Sequence, residues 1–294
     1  MRCAVGGLAL KHGTVVFLRG FGQIMLQPSA LTGALFLAGI CTNSWLLAAG
    51  ALAGALAGVV TAMLCGFKPA EISQGIYGFN GALVGIALLV FHAPGALCWL
   101  LIAAGGALST LIMRVMLRRA EFLPPFTAPF ILAAWAMLAL AHSAGIEAAA
   151  LGRPPSHPGD VFAVFRGLGQ VMFQESWIAG AVFSIGLLLH SRQAAAWGVI
   201  GSAVGLLAAR GLGCPEALLD AGIFGFNGAL AGIALGSAFR DNAMMPLAGA
   251  VLSAAITRGF QLAGIPALTA PFVLATWAAI LADRGWARVC RARS

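Results

Sequence analysis

Gly222-Ile-Phe-Gly-Phe-Asn-Gly-Ala-Leu-Ala-Gly-Ile-Ala-Leu235 repeats, almost letter for letter, Gly75-Ile-Tyr-Gly-Phe-Asn-Gly-Ala-Leu-Val-Gly-Ile-Ala-Leu88, which stands 147 residues earlier. The same offset pairs Arg19-Gly-Phe-Gly-Gln-Ile-Met-Leu-Gln27 with Arg166-Gly-Leu-Gly-Gln-Val-Met-Phe-Gln174. A third block, Thr127-Ala-Pro-Phe-Ile-Leu-Ala-Ala-Trp135, returns as Thr269-Ala-Pro-Phe-Val-Leu-Ala-Thr-Trp277 at an offset of 142, so the second copy has lost five residues between the last two blocks. Three blocks in one order, found twice, make the chain an internal duplication.

Of the 294 residues 61% are hydrophobic and 9% charged, with a mean hydropathy of +0.95. A water-soluble chain of this length needs far more polar surface, so the composition excludes a soluble globule and implies an all-α polytopic membrane protein. The net charge of +8 belongs to the loops of such a protein rather than to a nucleic-acid surface. Six cysteines stand apart, with no Cys-x-x-Cys and no His at metal spacing, and read as small core residues. No cleavable signal peptide is evident, because Lys11 and His12 follow the first ten residues where an apolar run would be needed.

A transmembrane helix takes about 20 mostly apolar residues. Thr14–Met25, which ends at Gln27-Pro28, is too short to cross and reads as a re-entrant half-helix, tolerated only where protein or a water-filled cavity satisfies its backbone. Spans are expected at 29–49, 50–66, 73–91, 95–117 and 126–142. The second copy repeats the plan, with a half-helix at 161–174 and spans at 176–190, 194–210, 217–238, 244–262 and 267–283. The chain therefore divides into a first repeat (1–147), a connector (148–160) containing Arg153-Pro-Pro-Ser-His-Pro-Gly159, a second repeat (161–283) and a basic tail (284–294). An odd number of crossings per copy turns the second copy upside down, the inverted-repeat architecture. With both termini cytoplasmic, only Arg153, Arg166, Arg210 and Arg258 fall outside, and the other thirteen of 17 basic residues fall inside, as the positive-inside rule requires. Gly50, Gly54 and Gly58 share one helix face and read as a packing contact.

The doubled Gly-Phe-Asn-Gly-Ala-Leu, Arg-Gly-x-Gly-Gln and Thr-Ala-Pro-Phe blocks together resemble the urea transporter family, over about residues 14–283. The resemblance implies a bacterial inner-membrane homotrimer, each subunit holding its own pore between the repeats, through which urea diffuses down its gradient without any cofactor. It further implies pore-lining roles for Gln23 and Gln170, Thr127 and Thr269, Phe79 and Phe226, and Leu83 and Leu230. Leu26 and Phe173 fall at a lining position that is usually phenylalanine in the family. Leu26 departs from that pattern, and the slot on its side is expected to be looser.

The chemistry of these residues fits such a solute independently of the name. Urea is flat, uncharged and rich in hydrogen bonds, so a pore has to replace its water with acceptors for two NH2 groups and flat surfaces for its faces. Glutamine and threonine oxygens and freed carbonyls supply the first, and phenylalanine rings the second. Pro129 and Pro271, which lack an N–H, favour helix starts at Thr-Ala-Pro and carbonyls left free nearby. Taken singly, Phe79 and Phe226 read as core, and intramembrane Gln and Thr as interhelical hydrogen-bonders. Asn80 and Asn227 are expected to bond backbone freed by the neighbouring glycines, and Arg19 and Arg166 to snorkel at an interface. Glu175 is the carboxylate most able to couple an ion. Together with His142 it supports an alternative, a proton- or sodium-coupled permease for another small polar solute such as an amide. An enzyme has little support, since neither copy offers a nucleophile with a base or an acid cluster at readable spacing.

Overall fold

The computed structural model describes residues 2–149 and 159–293, with side chains described for 13–149 and 159–285. Arg153-Pro-Pro-Ser-His-Pro of the connector lies outside the described residues, as do the side chains of Arg2, Lys11, Cys3 and Cys290. The first copy contributes α1 (Arg2–Gln23), α2 (Ala30–Asn43), α3 (Trp45–Leu64), α4 (Pro69–Ser73), α5 (Phe79–Phe91), α6 (Ala96–Leu117) and α7 (Ala128–Ser143). The second contributes α8 (Asp160–Gln170), α9 (Trp177–His190), α10 (Arg192–Gly211), α11 (Glu216–Asp220), α12 (Gly225–Ala238), α13 (Met244–Leu262) and α14 (Ala270–Arg293). The two sets follow one order, helix for helix.

Several boundaries differ from the sequence expectation. The first half-helix begins at Arg2 rather than Thr14, since no proline stands between Arg2 and Gln23, and α14 carries the basic tail on as helix to Arg293. The break expected at 49/50 falls at Ser44, whose hydroxyl accepts the N–H of Leu47 and so starts α3 five residues early. Ser191 does the same for α10 through the N–H of Ala194. Neither third span is continuous. Each is a five-residue helix, a turn through a left-handed glycine (Gly75, φ +76°; Gly222, φ +77°) and a longer helix. These glycines end α4 and α11 in the usual left-handed way. No side chain fits at either, because a Cβ on Gly75 would stand 2.3 Å from the Gly20 nitrogen and one on Gly222 2.4 Å from that of Gly167.

Among the described residues α3, α6 and α10 are long and apolar enough to cross a membrane. The apolar helices α2, α5, α7 and α9 have only 14, 13, 16 and 14 residues. At 1.5 Å per residue these reach about 20–24 Å, short of a hydrocarbon core of about 30 Å, so their ends need protein around them. Leu56, Leu100, Leu188 and Leu207 point outward and are exposed, an apolar exterior that suits lipid and not water.

The small residues act inside the chain. A Cβ on Gly54 would lie 2.0 Å from the Gly81 carbonyl oxygen, and one on Gly85 1.9 Å from that of Gly50, so α3 and α5 touch backbone to backbone. Gly201 meets Gly228 in the same way between α10 and α12. The cysteines divide: Cys98 and Cys214 are buried as expected, whereas Cys41 is half-buried and Cys65, at the end of α3, is exposed. At the far end of the first copy, Ala93 N–H donates to Glu147 and Ala149 N–H to Phe91, so the start of the expected connector is clasped against the end of α5.

Candidate functional site

Among the described residues four non-glycine residues have a left-handed backbone, and they form two internal pairs: Leu26 (φ 63°) with Phe173 (φ 58°), and Phe126 (φ 47°) with Leu268 (φ 47°). Such a conformation costs an L-residue about 1–2 kcal/mol, and strain of this kind gathers where function needs it. The first pair ends the half-helices. Gln27 N–H returns to Gly22 and Gln174 N–H to Gly169, while the side-chain amides of these two glutamines donate to the carbonyls of Met25 and Met172. The second pair immediately precedes the two threonines.

α4 and α11 end facing the half-helices, and the last carbonyls of a helix have no partner within it. Arg19 and Gln23 supply donors in the first copy. Arg19 Nη1 reaches Ser73 O at 3.0 Å and Gln23 Nε2 reaches Gln74 O at 3.1 Å. The second copy repeats the pattern: Arg166 Nη1 reaches Asp220 O and Gln170 Nε2 reaches Ala221 O, both at 3.1 Å. Arg166 is buried and therefore does not snorkel, while Arg19 is half-buried. Both arginines cap the end of the short helix that faces them. Since a carbonyl only accepts, each glutamine turns its NH2 to the backbone and keeps Oε1 as a free acceptor.

The Thr-Ala-Pro segments start α7 and α14, as their prolines require. The threonine carbonyls are not left free, because each accepts the first helical bond, from Ile131 and from Val273. The N–H groups just inside these starts are the orphans, and the asparagines meet them. Asn80 Oδ1 accepts from Phe130 N–H and Asn227 Oδ1 from Phe272 N–H, both at 3.1 Å. Asn80 and Asn227 thus cap a neighbouring helix rather than serving their own glycines. Asn227 also donates to Leu268 O, whereas the Asn80 amide nitrogen is buried with no partner.

Equivalent residues of the two copies then meet. Thr127 Oγ1 and Thr269 Oγ1 share a hydrogen bond of 2.7 Å, both nearly sealed from solvent at 2% and 1% exposure. Phe36 packs edge-on against Phe183 at 5.2 Å. Trp135 Nε1 donates to Pro266 O while Trp277 Nε1 donates to Pro124 O, a reciprocal exchange.

The remaining expected residues surround this centre in different ways. Leu83 and Leu230 are fully buried on α5 and α12, Phe79 is buried at the start of α5, and Phe226 is half-buried. Phe173 is half-buried, its ring edge-on to Phe130 at 6.3 Å, and Leu26 borders a cavity. Glu175 and His142 are exposed, beyond a half-helix turn and in the last turn of α7. The sequence reading missed Trp135, Trp277, Gln27 and Gln174, although all four stand inside the duplicated blocks, where a repeated polar group in an apolar setting is the signal.

Comparison with known proteins gives the same reading. The family described as urea transporter matches residues 14–284. Urea transporter 1 of Ovis aries is 28% identical over 285 residues, covering 88% of this chain and 74% of that protein. The protein of the same name from Rattus norvegicus is 29% identical over 286 residues with the same coverage, and that from Mus musculus 28% over 286. By the extent of the family match and the doubled blocks that carry it, the chain belongs to the urea transporter family.

Proposed function

We propose that the protein conducts urea passively through a narrow pore between two inverted copies of one fold, with Thr127 and Thr269 at its middle. The observation that carries this reading is the hydrogen bond between equivalent threonines across the copies. Each hydroxyl satisfies the other. An arriving urea offers an N–H to each, so the exchange leaves no buried hydroxyl without a partner. Gln23 and Gln170, whose NH2 groups are held on backbone carbonyls, present Oε1 to the solute on either side. Phe79, Phe226, Phe173, Leu83, Leu230 and Leu26 supply the apolar walls. The inversion rests on the odd count of crossings expected from the sequence and is supported by the reciprocal Trp135 and Trp277 bonds, since a local twofold exchanges equivalent contacts.

The protein on this reading is a homotrimer in a bacterial inner membrane with both termini cytoplasmic. The coupled-permease alternative is not favoured, because Glu175 and His142 are exposed rather than buried beside the threonines. None of the proposed lining residues is ionisable, and a charge at the membrane centre costs at least about 2.5–3.5 kcal/mol. Stopped-flow permeability in liposomes tests the reading. Urea flux should saturate, be unaffected by membrane potential and exclude guanidinium. Flux that requires an imposed proton or sodium gradient would overturn it.

A further inference from the structure

A cavity of about 350 Å³ opens beside Leu26, bordered also by Phe126, Ser237, Ala238, Thr276 and Ile280. That volume is at the small end of ligand pockets, about 300–1,000 Å³. Thr276 stands seven residues after Thr269 on α14, hence two turns further along the same face and about 10.5 Å away along the axis. On the urea-pore reading the cavity is one mouth of the threonine passage. It lies at the end of the molecule where Arg119, Arg240 and Arg284 follow or precede its walls in the chain.

The duplication makes this mouth unlike the other. Where it has Leu26, Ser237, Ala238 and Thr276, the matching positions of the other copy hold Phe173, Val90, Phe91 and Ala134. Phe173, Val90 and Phe91 pack against the core. Three smaller residues open the cavity, and the threonine adds a hydroxyl. The Thr276 side chain is 1% exposed and its Oγ1 has no hydrogen-bond partner, an unusual state for a buried hydroxyl. A largely apolar chamber with one buried, unsatisfied hydroxyl, in line with the proposed pore for a ureido group, suits a ureido head carrying a short alkyl chain.

We infer that this cavity is an accessory binding site for N-monoalkylureas, which seat the alkyl chain against Leu26, Phe126 and Ile280, hydrogen-bond Thr276, and obstruct urea at this mouth alone. The inference rests on the urea-pore reading. Its test is inhibition of urea flux by N-butylurea in liposomes, with calorimetric binding of N-butylurea to the detergent-solubilised protein as a second readout. Ala238→Phe and Thr276→Ala each install the residue of the opposite mouth. Ala238 is exposed at the end of α12, so the first substitution fills the cavity without entering the core. Wild type should bind N-butylurea and be inhibited by it. Ala238→Phe should weaken both by about tenfold or more, or about 1.4 kcal/mol, and Thr276→Ala by about threefold, with inhibition in each variant measured against that variant's own uninhibited urea flux. Equal inhibition and binding in wild type and Ala238→Phe, or no binding to wild type, would overturn the accessory site. Absence of urea flux in wild type would instead overturn the pore reading.

Discussion

Thr127 and Thr269 are the residues on which structure and transport can be told apart. Each hydroxyl is buried and each is the other's partner, so removing one strands the other, at a cost of about 1–3 kcal/mol, whereas removing both can be close to neutral. Thr127→Val and Thr269→Val are each expected to lower the melting temperature in detergent and to slow urea flux several-fold. The double variant should regain most of the stability while its flux stays low. A double variant as unstable as the two losses added would mean that the pair is not coupled. The asparagines differ in a measurable way. Asn227 holds Phe272 N–H and Leu268 O, but Asn80 holds only Phe130 N–H and already carries an idle amide nitrogen. Asn227→Ala should therefore destabilise more than Asn80→Ala, by on the order of 1 kcal/mol, and equal melting temperatures would contradict that accounting. On the proposed lining the slot walls differ at Leu26 and Phe173, so Leu26→Phe should reduce dimethylurea permeability more than urea permeability. An unchanged ratio would remove Leu26 from the wall.

Several helix ends meet around the candidate site. The half-helices, stopped by left-handed Leu26 and Phe173, face third spans broken at Gly75 and Gly222, whose freed carbonyls Arg19, Arg166, Gln23 and Gln170 satisfy. The unbroken helices α3 and α10 brace these fragments through backbone contacts that admit no side chain. Gly54→Ala would drive a methyl to 2.0 Å from Gly81 O and should cost about 1–3 kcal/mol or more, as overpacking does. Gly259, in the exposed part of α13, has nothing within 4 Å of an added Cβ, so Gly259→Ala should gain up to about 1 kcal/mol from helix propensity. Thermal unfolding of the two variants checks both signs. Loss at Gly259 as large as at Gly54 would argue against close helix packing as the cause.

Across the whole molecule, the two copies share a plan but not their polar details. Among the described residues only the first copy closes with such a clasp, between 91–93 and 147–149, and His92 within it is buried, its Nδ1 without a partner. Burial, and then the neighbouring His142, hold its pKa below the usual histidine value. Below about pH 6.5 the unfolded chain takes up this proton more readily than the folded one. Its contribution to stability is therefore complete above that pH and lost as pH falls through the folded pKa. Melting temperatures between pH 7 and 5 should fall more for wild type than for His92→Gln, and parallel falls would remove His92 from the acid response.

The duplication, the membrane class and the helix starts at Thr127 and Thr269 were legible in the sequence, because repeated blocks, apolar composition and proline act locally and leave local marks. Ser44 as a helix boundary and the glycine breaks in the third spans also had local signals, but the apolar run around them masked those signals. The left-handed Leu26 and Phe173 had none, since non-glycine residues adopt that backbone only when their surroundings impose it. Nor could spacing reveal the partners of Arg19, Asn80 and Trp135, or that Thr127 meets Thr269 across 142 residues of chain. Those contacts depend on how two copies of one fold face each other. A repeat in the sequence establishes that the copies are alike, and only the tertiary structure decides which of their like residues touch.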